Sequence, residues 1–200
     1  MNVGVLASHE GTTLQSVLDA CADGRIDGRV AVVVSNNSGS GALRRAREAG
    51  VPVAHLSSTT HPDPSALDWA IRNVLAAASV DVVLLAGYMK KLGPVTIEAF
   101  KGRILNTHPA LLPKFGGQGM YGDRVFEAVI EAGETESGVS VHLVEADIDT
   151  GRVVRQCKVP VFADDSIETL KARVRTRERA FVVETLADIA RGGLTLDQAL

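Results

Sequence analysis

Asp81-Val82-Val83-Leu84-Leu85-Ala86 is the stretch on which the fold turns. From Val82 to Ala86 the apolar run has no polar alternation. A strand of that kind has both of its faces covered. Residues 65–79, just before it, read as a helix. The same order recurs upstream. Val3 to Ala7 is a short apolar strand, followed by the turn Ser8-His9-Glu10-Gly11 and an amphipathic segment with Leu14, Val17 and Leu18 on one side. Val30 to Val34 is a second buried strand, closed by Ser35-Asn36-Asn37-Ser38-Gly39. A helix carrying Leu43, Ala46 and Arg47 then stops at Gly50, and Val51 to Leu56 is a third strand. Continuous apolar strands alternating with helices predict a parallel sheet covered on both sides.

Downstream the pattern changes. Arg103-Ile104-Leu105-Asn106 is a short strand that runs into a proline-rich turn. A helix is expected over 119–132. Strands at 139–144 and 153–161 flank a glycine-containing loop suited to antiparallel pairing, and a last helix covers about 166–191. No repeat, low-complexity tract or linker divides the chain. The expectation is one α/β domain over residues 1–200: a Rossmann-like, mostly parallel sheet with helices on both faces and an antiparallel C-terminal extension.

Composition narrows the function classes. With 200 residues, 46% of them hydrophobic, there is enough apolar surface for one core. A net charge of −3 offers no general attraction to nucleic acid or a membrane. Lysine and arginine are dense at 171–179, but these charges spread around a helix, which favours a solvated helix face over a nucleic-acid stripe. Cys21 and Cys157 have neither metal-ligand spacing nor a disulfide framework, which fits a reducing cytoplasm. The start, Met1-Asn2-Val3-Gly4-Val5-Leu6, lacks the basic region of a signal peptide, and no run approaches the ~18 apolar residues of a membrane span.

In a parallel sheet, ligands gather where strands end at their carboxyl edges. Three segments fall there: the turn from Ser8 to Thr13, Gly87-Tyr88-Met89-Lys90-Lys91-Leu92, and Asn106 to Lys114. Asn106 and His108 are two apart, so in extended backbone they face one side. An amide donor beside an imidazole suits attack of an amine on a carbonyl. Asn106 and protonated His108 would hold the developing oxyanion, and the histidine would move protons. A nearby aspartate would raise its pKa, and Asp147 and Asp149 are both candidates. The plain alternative is a hydrogen-bonded turn histidine; His55, His61 and His142 have no such neighbourhood in sequence. The turn Gly11-Thr12-Thr13 opens a helix and would hold a phosphate. Against this, Thr12-x-x-Gln15 also reads as a capping box and Glu10 disfavours an anion. The turn is not a dinucleotide fingerprint or a P-loop, and no tightly bound cofactor or metal is expected.

The segment Asn106-Thr107-His108-Pro109-Ala110-Leu111-Leu112-Pro113-Lys114-Phe115 resembles the signature of the folate-dependent formyltransferases. Leu14-Gln15, Leu85 to Lys90, Gly119-Met120-Tyr121-Gly122, Gly138 to His142 and Asp147-Ile148-Asp149-Thr150-Gly151 support the resemblance, which runs over nearly the whole chain. It implies 10-formyltetrahydrofolate as a co-substrate. The amine of N1-(5-phosphoribosyl)glycinamide in purine biosynthesis is then the acceptor, with another amine, or water, as the alternatives. It implies catalytic roles for Asn106, His108 and Asp149, the aspartate raising the histidine's pKa. Folate contacts are implied for Met89, Lys90, Lys91, Leu92, Ile104, Leu105 and Asn106, and for Glu145, Ala146, Asp147 and Ile148. Acceptor contacts are implied for Gly11, Thr12, Thr13 and Glu178. Partners are then small molecules, and self-association into a homodimer stays open.

The chain departs from that pattern mainly at the acceptor end. Ser8-His9-Glu10-Gly11-Thr12-Thr13 stands where Ser-Gly-x-Gly-Ser-Asn is usual. Pro64 replaces a common basic residue, Lys90 a common arginine and Gly116 a proline. Arg179-Ala180-Phe181-Val182-Val183 lacks the usual His and Tyr-Pro.

Overall fold

The computed structural model describes residues 1–196; residues 197–200, the tail of the expected 1–200 domain, lie outside the described residues. Seven strands form one sheet in the order β3-β2-β1-β4-β5-β6-β7. They are β1 Asn2–Leu6, β2 Arg29–Ser35, β3 Val53–His55, β4 Val82–Leu85, β5 Ile104–His108, β6 Glu136–Leu143 and β7 Val153–Pro160. Strands β1 to β5 pair in parallel, while β5–β6 and β6–β7 are antiparallel. The helices are α1 Thr12–Ala22, α2 Gly41–Glu48, α3 Pro64–Ala77, α4 Pro94–Ala99, α5 Asp123–Glu131 and α6 Ile167–Ala190. Among them none is long and apolar enough to cross a membrane.

Strand alternation divides the core. In β4, Val82 and Leu84 face the layer of α1, α2, α5 and α6, while Val83 and Leu85 face α3 and α4. Both layers are apolar, which is why the run has no polar positions. Gly4 admits the α3 side closely: a Cβ there would meet Leu75 and Val80 at 2.7 and 2.9 Å.

Several boundaries differ from the sequence expectation. β5 runs on past the expected end at Asn106 to His108, so His108 sits in strand with Asn106 rather than in the turn. α5 starts at Asp123, not 119, because Gly117, Gly119 and Gly122 all have positive φ and keep the preceding chain out of a helix. β3 shrinks to three residues. α4 was not anticipated, since its N-terminus is capped from a distance. Asp68 of α3 accepts from the N–H groups of Val95 (2.8 Å) and Thr96 (3.0 Å). The capping box expected at Thr12 and Gln15 is absent: Gly11 is the N-cap, with no side-chain bond.

Candidate active site

The sheet reverses its order between β1 and β4, and the loops that leave the strands there surround a cavity of about 830 Å³. Asn106 and His108 enter it from β5 on the same side. The antiparallel register sets His142 of β6 directly across from Asn106, with Asn106 Nδ2 3.1 Å from His142 Nε2. Asp149, on the loop after β6, stands between the two imidazoles. Its Oδ2 is 3.4 Å from His108 Nδ1 and its Oδ1 is 3.4 Å from His142 Nε2. Asp149 has φ of 56°, a left-handed backbone that aspartate tolerates, and its carboxylate also accepts from the Gly117 N–H at 3.0 Å. Burial pushes its carboxyl up. The bonds from His142 and Gly117, with the charge of both imidazoles, more than offset this and hold it below the usual range.

His108 does not behave as its aspartate neighbour alone would dictate. Burial pushes its pKa down; Asp149 and the Phe115 carbonyl pull up, and His142 pushes down again. Asp149 pulls the value up, as expected, but the net direction is below that of an ordinary histidine, because removing an imidazolium from water outweighs one carboxylate at 3.4 Å. His108 Nε2 lies 2.6 Å from the Phe115 carbonyl, which can only accept, so Nε2 carries the proton in this arrangement.

The two ends of the cavity differ in chemistry. At one end α1 opens with Gly11, whose φ is 70° and whose added Cβ would meet Ala42 Cα at 2.7 Å. Thr12, Thr13 and His9 line this end. Glu10 lines it too, but its carboxylate lies 3.7 Å from Arg44, and its carbonyl accepts from Arg45 Nε at 2.8 Å. α6 supplies Arg175, Glu178 and Arg179. Thr107, between the two catalytic candidates in sequence, donates to Glu178 Oε1 at 2.5 Å. Burial pushes the Glu178 carboxyl up, while Thr107, Arg175 and Arg179 pull it down by less. At the other end Leu85, Leu92, Ile97 and Val144 form an apolar wall, with Met89, Tyr121 and Ile148 exposed at the mouth.

Residues 1–186 match the family model described as formyl transferase. The chain belongs to the formyl transferase family. This formyltransferase is 42% identical to the phosphoribosylglycinamide formyltransferase of Haemophilus influenzae, over 88% of this chain and 81% of that protein. It is 38% identical to the enzyme of the same name from Escherichia coli, over 99% of this chain and 91% of that one. Its backbone superposes on the crystal structure of glycinamide ribonucleotide transformylase 1 from Symbiobacterium toebii with a TM-score of 0.90. That match has 39% identity and covers 99% and 91% of the two chains.

The structure brings most of the expected residues of this formyltransferase to one cavity: Gly11, Thr12, Thr13, Met89 to Leu92, Asn106, His108, Glu145 to Asp149, and Glu178. Of the two aspartates, Asp149 touches the histidines and Asp147 is exposed at the rim. Ile104 and Leu105 do not line the cavity. Both are 1% exposed and packed into the sheet's two layers, so the apolar wall comes from Leu85, Leu92 and Val144 instead. His142, set aside in the sequence for want of neighbours, is part of the cluster. The basic run at 171–179 is not one solvated face either. Lys171, Arg173 and Arg177 pair with Asp123, Asp165 and Glu184, whereas Arg175 and Arg179 stand against the cavity.

Proposed function

We propose that this formyltransferase moves the formyl group of 10-formyltetrahydrofolate onto the amine of N1-(5-phosphoribosyl)glycinamide, a step of de novo purine biosynthesis. The observation that carries this is the Asn106–His142–Asp149–His108 cluster, set between an apolar end and an end rich in anion-binding groups. The folate ring system packs against Leu85, Leu92, Val144 and the 145–148 loop. The acceptor phosphate sits on the amides of Gly11 to Thr13, at the helix N-terminus, beside Arg175. Its ribose hydroxyls bond Glu178, which directs the amine toward Asn106 and His108.

The amine nitrogen attacks the formyl carbon, and the developing oxyanion meets the Asn106 amide. The burial that lowers the His108 pKa suits it to take a proton from the attacking amine. Asp149 stabilises the imidazolium so formed. The same proton then passes to N10 as the old carbon–nitrogen bond breaks and tetrahydrofolate leaves. For Nε2 to accept that proton, the Phe115 carbonyl must release it and the ring proton must sit on Nδ1, where Asp149 Oδ2 accepts it. The folate is consumed as a co-substrate, with no tightly bound cofactor, and the enzyme works as a single domain in the cytoplasm.

The test is direct. Protein, 10-formyltetrahydrofolate and glycinamide ribonucleotide are mixed and tetrahydrofolate is followed. Turnover that needs the acceptor is expected. Formate release without any amine would replace this reading with a hydrolase. Faster turnover with another amine in the same mixture would reassign the acceptor.

A further inference from the structure

Beside the cavity lies a buried serine that no step above uses. Ser8 follows β1 and is 3% exposed. Its N–H donates to the Gly87 carbonyl at 3.2 Å. Its Oγ accepts from the Met89 N–H at 2.8 Å and donates to Asn36 Oδ1 at 2.5 Å. One hydroxyl therefore ties together the loops that leave β1, β2 and β4. Its single proton is committed to Asn36, which leaves a lone pair for Met89. The Met89 side chain, 47% exposed, projects from that fixed amide at the cavity mouth. The far end of the same segment is held as firmly: Asp68 takes the N–H groups of Val95 and Thr96 and the Thr96 hydroxyl at 2.6 Å.

We infer that Ser8 is a positioning residue for the donor substrate: it pins Met89 so that the 87–92 loop meets the folate already ordered. This rests on the reading of Met89 to Leu92 as the folate stretch. A loop ordered beforehand saves the entropy that binding would otherwise cost, so its loss falls on substrate binding rather than on the chemical step. Nothing in Ser8 touches the reacting atoms.

The experiment compares Ser8→Ala with Ser40→Ala. Ser40 is also a buried serine, and its Oγ accepts from the Leu43 N–H at 3.3 Å at the start of α2, outside the cavity lining and with no bond to the 87–92 loop. Ser8→Ala is expected to raise KM for 10-formyltetrahydrofolate about tenfold, the scale of one buried hydrogen bond, with kcat and the acceptor KM changed less than about twofold. Amide hydrogen exchange at residues 88–91 is expected to quicken in Ser8→Ala and not in Ser40→Ala. Unchanged exchange at 88–91 in Ser8→Ala would overturn the inference. So would an equal rise in donor KM in Ser40→Ala, because the effect would then be general loosening. If the unaltered protein shows no folate-dependent turnover, the proposed function fails, and with it the substrate half of this inference; the exchange comparison still decides whether Ser8 holds the loop.

Discussion

The catalytic cluster and the acceptor end are separated by little distance but built in different ways. Asn106, His108 and His142 stand on two hydrogen-bonded strands, where the register itself sets their spacing. The acceptor end joins a loop, His9 to Thr13, to one face of α6, with no strand register between them. The strand-borne part keeps the full residue set of its family signature. The loop-and-helix part carries departures at His9, Glu10, Thr13 and Arg179, while those at Pro64, Lys90 and Gly116 lie outside it. A change on a paired strand disturbs several neighbours at once, whereas a loop absorbs substitution locally. On the function proposed above, reaction type is written in the sheet and acceptor choice at its edge.

The sharpest way to break that contrast is to remove the cluster's proton carrier. His108→Ala is expected to lower kcat by at least ~10²-fold, measured as tetrahydrofolate release, because the loss falls on proton transfer itself. Asp149→Asn comes next, with kcat reduced about tenfold to a hundredfold, since the imidazolium loses its partner. The pH profile gives this variant a second signature. Activity needs neutral His108 and fails as pH falls through its pKa. Burial already holds that value low, and Asp149 is the chief group pulling it up. Without the carboxylate the value drops further, so the acid limb of kcat against pH moves to lower pH. A limb that moves upward would show that His108 does not govern it.

How far the sequence discloses each part follows from the range of the interactions involved. Val82 to Leu85 announces a doubly covered strand because each residue there is apolar on its own account. Asn106 and His108 are legible as a pair because a spacing of two is a local property of extended chain. His142 is not, because its partner lies 36 positions away and only the β5–β6 register brings them together. The cap of α4 by Asp68 is hidden for the same reason, at 28 positions. The upward pull of Asp149 on His108 can be read from a motif, while the burial that outweighs it belongs to the whole fold. Ile104 and Leu105 are the converse case, close to Asn106 in sequence yet turned into the core.

At the acceptor end, Glu178→Gln should spare kcat more than KM. It is expected to raise the acceptor KM about tenfold while leaving the donor KM within about twofold, as the loss of a charged hydrogen-bond acceptor predicts. Stability offers an independent readout. The Glu178 carboxyl is raised by burial, so its protonated form is favoured by the fold. That contribution is fully present below the unfolded carboxylate pKa and is lost as pH rises through the folded value. The glutamine variant should therefore gain on the unaltered protein in melting temperature as pH rises across that window. A constant difference would mean that Glu178 is not held in a desolvated place.

The smallest effect is expected from Arg179→Ala, and it tests whether the edge tolerates change as the contrast requires. Arg179 lines the cavity, and the Thr176 hydroxyl, 3.2 Å from its guanidinium, orients it. Three other cations of the same run are already paired with acids, so Arg179 and Arg175 are the ones placed to face an incoming anion. A partly exposed guanidinium acting through solvent contributes modestly, so a three- to fivefold rise in acceptor KM, about 1 kcal/mol or less, is predicted. The rise should shrink as salt is added, because screening weakens the charge that was removed. Donor KM and kcat should hold steady. A fall in kcat comparable to that of Asp149→Asn would mean that the α6 edge takes part in the chemistry, and the division between sheet and edge would have to be redrawn.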